Sequence, residues 1–259
     1  MLVDLHNHTT LCNHAEGEMH EYIDEAIKQG TKYFGFSDHA PMNFDTKYRM
    51  KFSDMQKYEK AVNDAKELYK DKIQIFLAYE VDYLKGYMDK RVLDAKVDYL
   101  IGSVHFIDEW GFDNPEFIGH YKNEDIDVIW QKYFDTIEEM ANTQLFDIVG
   151  HFDLIKIFKF MPKKNISKIA RNALLAIKNA DMTLELNVAG YRKPIKESYP
   201  SSSLLKEAFK LNIPITFSSD AHKPTQVGLF NTEITQLAKD VGYTQCAIYT
   251  NRKRAFINF

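Results

Sequence analysis

Short apolar runs that end on histidine, aspartate or glutamate recur along this chain, and they restrict its fold more than any other feature. His6 and His8 close Leu2-Val3-Asp4-Leu5, and His39 closes the run from Tyr33 to Asp38. Glu80 closes Ile73–Tyr79, His105 closes Tyr99–Val104, and His151 closes Phe146–Gly150. Asp220 and His222 close Ile213–Ser219. Each run has the length and composition of a buried strand, with helical sequence between most of them. The helical stretches are Met19–Gln29, a helix capped by Ser53 or Asp54 and reaching Tyr69, Tyr87–Lys96, Asp125–Asn142, Ile166–Asn179, one from Ser201–Ser203 to Leu211, and Asn231–Val241. Thr183–Val188 is the sixth strand, and a short apolar run at Cys246–Tyr249 follows the last helix.

Strands alternating with helices imply a parallel sheet. An open sheet concentrates its ligand site at one switch point, whereas a barrel collects the C-terminal ends of all its strands on one rim. Chemistry-bearing residues at nearly every strand end therefore favour closure. The expected architecture is α/β, a closed parallel barrel of about seven strand–helix units. A single domain spans residues 1–259, because residues on both sides of the polar loop Lys159–Asn165 belong to the expected site.

Charge and cysteine usage narrow the function classes. The 33 Lys and Arg against 37 Asp and Glu leave a net charge of −4, which gives no general attraction to nucleic acid. Two cysteines, Cys12 and Cys246, make no disulfide framework and fit a reducing compartment. The chain opens on a strand-like segment carrying Asp4 and His6, so no secretory leader is expected, and no apolar stretch approaches the ~20 residues that span a bilayer. A soluble cytoplasmic protein is the expectation. Nothing in the sequence sets an oligomeric state.

Asp4, His6 and His8 alternate, so their side chains share one strand face. His6 and His8 can hold one ion together, with Asp4 behind them as acceptor for an imidazole N–H. A single strand-end histidine is more often a hydrogen-bonded, partly buried side chain than a ligand. Here seven of nine histidines (His6, His8, His14, His39, His105, His151, His222) fall at or just past strand ends. Glu80 also ends a wholly apolar run, where an unpaired carboxylate is costly and a cation removes the cost. Ser219-Asp220-Ala221-His222 repeats the alternation at the far end of the chain. The residue types are those that bind transition metals.

Together these motifs resemble the polymerase-and-histidinol-phosphatase (PHP) superfamily: Asp4-Leu5-His6-Asn7-His8-Thr9, His14, Ser37-Asp38-His39-Ala40-Pro41, Glu80, Ser103-Val104-His105, Gly150-His151-Phe152-Asp153 and Ser219-Asp220-Ala221-His222. Within it the likeness is greatest to the monofunctional histidinol-phosphate phosphatases, on Ser37–Pro41, Glu185–Pro194 and Tyr199-Pro200-Ser201. The resemblance implies a distorted seven-stranded, TIM-like α/β barrel with three divalent ions of zinc, iron or manganese. His6, His8, Glu80 and Asp220 would hold one, Glu80, His105 and His151 a second with Glu80 bridging, and His14, His39 and His222 a third.

Clustered divalent cations suit hydrolysis of a small phosphomonoester. Glu80 and Asp220 are the expected catalytic carboxylates, Asp220 orienting the nucleophile or shuttling a proton. Arg192, after the sixth strand, is the expected phosphate contact, with a solvated loop arginine as the alternative. The resemblance implies a second basic residue after the fifth strand, where this chain offers Lys156 and Lys159. Glu16 and Asp153, near rim positions, can meet the cationic amine or imidazolium of histidinol phosphate or can simply be solvated. Phe106 and Trp110 can pack on its imidazole or simply on the protein. The expected activity is hydrolysis of L-histidinol phosphate in histidine biosynthesis. The alternatives are a related phosphoesterase acting on phosphotyrosine or nucleic acid, and a non-catalytic metal-binding module. A nuclease lacks support because no stripe of basic and aromatic residues is present.

Overall fold

The computed structural model describes residues 2–259. In chain order the strands are β1 (Val3–Asp4), β2 (Tyr33–His39), β3 (Gln74–Asp82), β4 (Tyr99–Ser103), β5 (Phe106–Ile107), β6 (Trp110–Gly111), β7 (Ile148–Val149), β8 (Thr183–Asn187), β9 (Ile215–Ser218), β10 (Gln245–Thr250) and β11 (Lys253–Asn258). The α-helices are α1 (Met19–Lys28), α2 (Met55–Tyr69), α3 (Lys90–Leu93), α4 (Ile126–Asn142), α5 (Ile166–Ile169), α6 (Arg171–Asn179), α7 (Ala189–Arg192), α8 (Ser202–Lys210) and α9 (Asn231–Val241).

Seven strands form one sheet in the order β1-β2-β3-β4-β7-β8-β9, each parallel to its neighbour. Its two edges meet through Leu5 N–H to Phe217 O (3.0 Å), Asp220 N–H to His6 O (2.8 Å) and His8 N–H to Ala221 O (3.0 Å), so the sheet is nearly closed. This is the expected distorted barrel. Most of its strands are largely apolar because helices cover one face while the other lines the interior, so both are buried, and β8 (Thr183–Asn187) is the alternating exception. Val3, Leu5, Phe76, Ala78, Ile101, Ile148, Leu186 and Phe217 are all buried in one cluster.

Helix starts differ in their caps: Asp54, one expected cap of α2, has helical backbone (φ −94°, ψ −10°) and makes no side-chain capping hydrogen bond, whereas α4 is capped. Asp125 accepts the Asp127 N–H at 2.8 Å and starts α4, which buries Trp130, Tyr133, Phe134 and Ile137 on one face. Two further expectations differ in detail. The helix expected at Tyr87–Lys96 shrinks to the four residues of α3, because a turn at Gly86 (φ +89°) precedes it and Asp89 caps it at the Arg91 N–H. The stretch Ile166–Asn179 divides at Ala170 into α5 and α6.

The apolar run near Cys246–Tyr249 is strand β10 of an antiparallel hairpin with β11. Tyr249 Oη bonds to Thr183 Oγ1 (2.6 Å) and Asp147 O (3.1 Å), and Arg252 N–H donates to Asp98 O (2.8 Å). Those partners lie where β8, β7 and β4 begin, so the hairpin caps the N-terminal mouth. The C-terminal mouth is left for chemistry. No helix among the described residues is long and apolar enough to cross a membrane.

Candidate metal centre

β3 runs to Asp82, so Glu80 lies inside the strand rather than past its end. Its carboxylate reaches into the C-terminal mouth. Oε2 is 2.8 Å from His39 Nδ1, 3.3 Å from His6 Nε2 and 3.8 Å from His8 Nε2. Oε1 is 2.9 Å from His151 Nε2 and 3.7 Å from His105 Nε2. Asp220, at a left-handed backbone position (φ 48°), brings Oδ1 to 3.2 Å from His8 Nε2. His14, His39 and His222 gather on the outer side, with His14–His222 ring centroids 4.6 Å apart.

Three ion-sized groupings have candidate donor atoms within 4.8 Å of one another: His6, His8 and Glu80; Glu80, His105 and His151; and His14, His39 and His222. A fourth joins Cys12 to His8 and His222, but the Cys12 thiol donates to Thr9 O and burial pushes its pKa up. Among the described residues, His6 Nε2, both ring nitrogens of His8, and His222 Nε2 make no hydrogen bond although buried. Orphaned polar atoms of this kind are costly, and several facing one another fit a cation.

Electrostatics divides the imidazoles. Burial lowers His39 to about 4, with His8 and His14 adding to the effect against Glu80. Burial, with His8 beside it, also takes His222 well below the ordinary range. These rings are neutral and present lone pairs. His6 is also opposed by burial, but Glu185, Glu80 and Asp220 outweigh this and hold it well above the ordinary range. Burial likewise opposes protonation of His105, yet Asp82 and Glu80 raise it to about 10. An arriving cation must displace these protons.

Backing residues fix the rings. Glu185 Oε1 accepts from His6 Nδ1 at 2.6 Å, and its Oε2 accepts the His151 backbone N–H at 2.6 Å. Asn187 Nδ2 bridges Glu185 Oε2 (3.0 Å) and Asp220 Oδ2 (3.1 Å). Asp82 Oδ1 takes His105 Nδ1 at 2.7 Å. The acceptor role expected of Asp4 is a correction. Asp4 is tied instead to Ser219 N–H (2.9 Å), Ser219 Oγ (2.6 Å) and Asn7 Nδ2 (3.0 Å), and so pins β1 to the end of β9. Sequence reading missed Glu185 and Asp82 as backing groups. Their signal was alternation, since Asp82 lies two residues after Glu80 on the same strand face.

The mouth holds a cavity of about 530 Å³. His14, His39, Glu80, His105, His151, Asp220, His222 and Arg192 line it. Arg192 Nη2 donates to Ser219 O (2.8 Å) and Asp220 O (2.9 Å), while its buried Nη1 has no partner among the described residues. Three expected substrate contacts are corrections, because none lines the cavity. Lys156 is buried and saturated by Asp153 (2.9 Å), Glu197 (3.1 Å) and Ser198 O (2.8 Å). Lys159 stands exposed on a left-handed turn (φ 67°), and exposed Glu16 pairs with Lys223 at 2.9 Å. Asp153 does not line the cavity either: its Oδ2 meets Lys156 and the Ser201 N–H (2.9 Å), while its buried Oδ1 has no partner among the described residues. The cavity wall presents Arg49, Lys193, Asp45 and Asp113 instead, with Phe106 among them. Trp110 stacks on His120 (4.3 Å).

A barrel whose C-terminal mouth concentrates imidazoles and carboxylates is matched by a family model described as PHP domain over residues 4–189, and by one described as PHP-associated over residues 205–241. The chain belongs to the PHP domain family. It is 35% identical to a protein of Deinococcus radiodurans named probable histidinol-phosphatase, over 93% of this chain and 94% of that one. It is 30% identical to the histidinol-phosphatase of Bacillus subtilis, over 87% and 95% of the two chains. The fold matches a crystal structure of histidinol phosphate phosphatase from Lactococcus lactis complexed with zinc, L-histidinol and phosphate, with TM-score 0.81, 21% identity and 98% of each chain covered.

Proposed function

We propose that the protein is a metal-dependent phosphomonoesterase that hydrolyses L-histidinol phosphate to L-histidinol and phosphate, with the whole chain acting as one unit. The observation that carries this reading is the convergence of seven imidazoles on Glu80 and Asp220 at one barrel mouth. Relatives matched over nearly their full length carry the histidinol-phosphatase name.

In this reading three divalent ions of zinc, iron or manganese are held as follows. His6, His8, Glu80 and Asp220 would hold one, Glu80, His105 and His151 the second, and His14, His39 and His222 the third. Such ions supply charge neutralisation for the phosphate and Lewis-acid activation of water. The remaining work belongs to the chain. Glu80 presents Oε2 to His6 and His8 and Oε1 to His105 and His151, so it would be shared between two of the ligand groups. Burial acts to raise the Asp220 pKa, but His6, His8 and His222 hold it well below the carboxylate range. Asp220 is therefore ionised at neutral pH and acts by accepting a proton or orienting water, not as a resting acid. The free Nη1 of Arg192 gives the phosphate a directed donor, with Lys193 adding charge. Asp113 and Asp45 offer anionic partners to the ammonium and imidazole of histidinol on the same cavity wall.

The test is turnover by metal-loaded protein on histidinol phosphate, phosphotyrosine and an oligonucleotide. A kcat/KM for histidinol phosphate at least 100-fold above the other two is expected. Equal rates on phosphotyrosine would leave only a general phosphatase, and oligonucleotide cleavage would replace the reading.

A further inference from the structure

Arg49 follows a one-turn 3₁₀ segment, Thr46–Tyr48, in the loop after β2. It is 4% exposed, yet it borders the cavity. Its Nε donates to Asp45 O at 2.6 Å, its Nη1 donates to Asp82 Oδ2, and its guanidinium lies over the Phe106 ring at 5.9 Å. The other oxygen of Asp82 accepts from His105 Nδ1 at 2.7 Å. Each carboxylate oxygen of Asp82 thus has one assigned donor, from a loop and a strand end far apart in sequence.

We propose that Arg49 is a positioning residue for the second ion. It acts through Asp82 to hold His105 in the tautomer whose Nε2 lone pair faces the group formed with Glu80 and His151. The inference rests on the ligand reading given above. A buried carboxylate with one partner removed is free to turn, and the imidazole then loses its fixed acceptor. Arginine suits the task because its planar fork grips the carboxylate and the Asp45 carbonyl together, and because it stays charged when buried. Lysine keeps the charge without the fork. Nothing in the sequence marks Arg49, since it sits in a loop without periodicity.

Arg49→Met, Arg49→Lys, Asp82→Asn, the Arg49→Met/Asp82→Asn double variant and His105→Ala would be dialysed against graded zinc buffers. Zinc per chain, melting temperature and kinetics would then be measured. Arg49→Met is expected to weaken one of three zinc ions about 10- to 100-fold and leave two unchanged. Asp82→Asn should do the same, and the double variant should be no worse than the weaker single one. Arg49→Lys should recover part of the loss. His105→Ala should lose the same ion.

Three results would overturn the inference. One is unchanged zinc binding with a raised KM and weaker inhibition by inorganic phosphate, which would make Arg49 a direct substrate contact. Another is parallel loss of all three ions with a lowered melting temperature, which would make it a general structural residue. The third is full zinc in Arg49→Met beside a lost ion in His105→Ala, which overturns this inference alone. Full zinc in His105→Ala would sink the ligand reading beneath it.

Discussion

Glu185→Gln tests the backing of the centre with the smallest change of shape. The wild-type carboxylate accepts on both oxygens, at 2.6 Å from His6 Nδ1 and 2.6 Å from the His151 N–H, with Asn187 Nδ2 adding at 3.0 Å. Burial would raise its pKa, but His6 and His151 hold it below the ordinary range, so both oxygens remain acceptors. Glutamine has one acceptor oxygen. If that oxygen faces His151, the amide NH2 meets His6 and selects the tautomer in which Nδ1 accepts and Nε2 carries hydrogen. The nitrogen that faces Glu80 is then blocked. If the oxygen faces His6, the NH2 opposes a buried backbone donor at His151. Either way a charge-assisted hydrogen bond is lost, at about 1.5–3 kcal/mol, or roughly 10- to 100-fold in affinity for the ion that His6 holds. Zinc per chain after dialysis against graded chelator is the assay, with circular dichroism as the check on folding. One ion should be released at a 10- to 100-fold higher free zinc concentration than in wild type, and excess zinc should restore most of the activity. An unchanged zinc midpoint in a folded variant would refute the idea that Glu185 sets the His6 tautomer.

Three further outcomes are expected. Arg192→Lys keeps charge but not the directed Nη1 donor, so KM for the phosphomonoester should rise about 10-fold with a smaller change in kcat, measured by phosphate release. Protons on His6 and His105 compete with cations, so zinc affinity measured in metal buffers should strengthen as pH rises from 6 to 8. The sign for the chelated protein is opposite: a raised folded pKa stabilises fully below the unfolded value, roughly 6.5, and that contribution fades as pH climbs toward about 10 for His105. Its melting temperature should therefore fall across that window, and a rise would contradict the assignment. Gly35→Ala places a Cβ on the Tyr99 hydroxyl, which bonds to Leu5 O at 2.5 Å inside the barrel, and should cost about 1–3 kcal/mol, read as a Tm lower by roughly 3–10 °C.

Why the barrel was readable and its supporting network was not follows from how strands and loops place side chains. A barrel strand has one direction, so a polar residue at its C-terminal end can only meet the other strand ends. His6, His39, His105, His151 and Asp220 needed no knowledge of neighbours to be assigned to one mouth. Lys156 and Lys159 follow a strand end too, but they sit in a loop, where a long side chain has many directions. Lys156 turned inward to Asp153, three residues before it, and to Glu197 and Ser198, which arrive from the β8–β9 connection and which nothing near Lys156 encodes. Glu185 failed for another reason. It lies inside β8, where Thr183, Glu185 and Asn187 share one face opposite Leu184 and Leu186, so alternation marks a polar face but not the residues that face meets. Its partners, His6 and His151, identify it only once the barrel has closed. Arg49 combines both difficulties, being a loop residue whose partner, Asp82, looks like an ordinary strand-end carboxylate. Residues that point into a shared mouth are therefore legible from their position on a strand. Residues that steady them become legible only as pairs, once closure of the barrel has brought both members together.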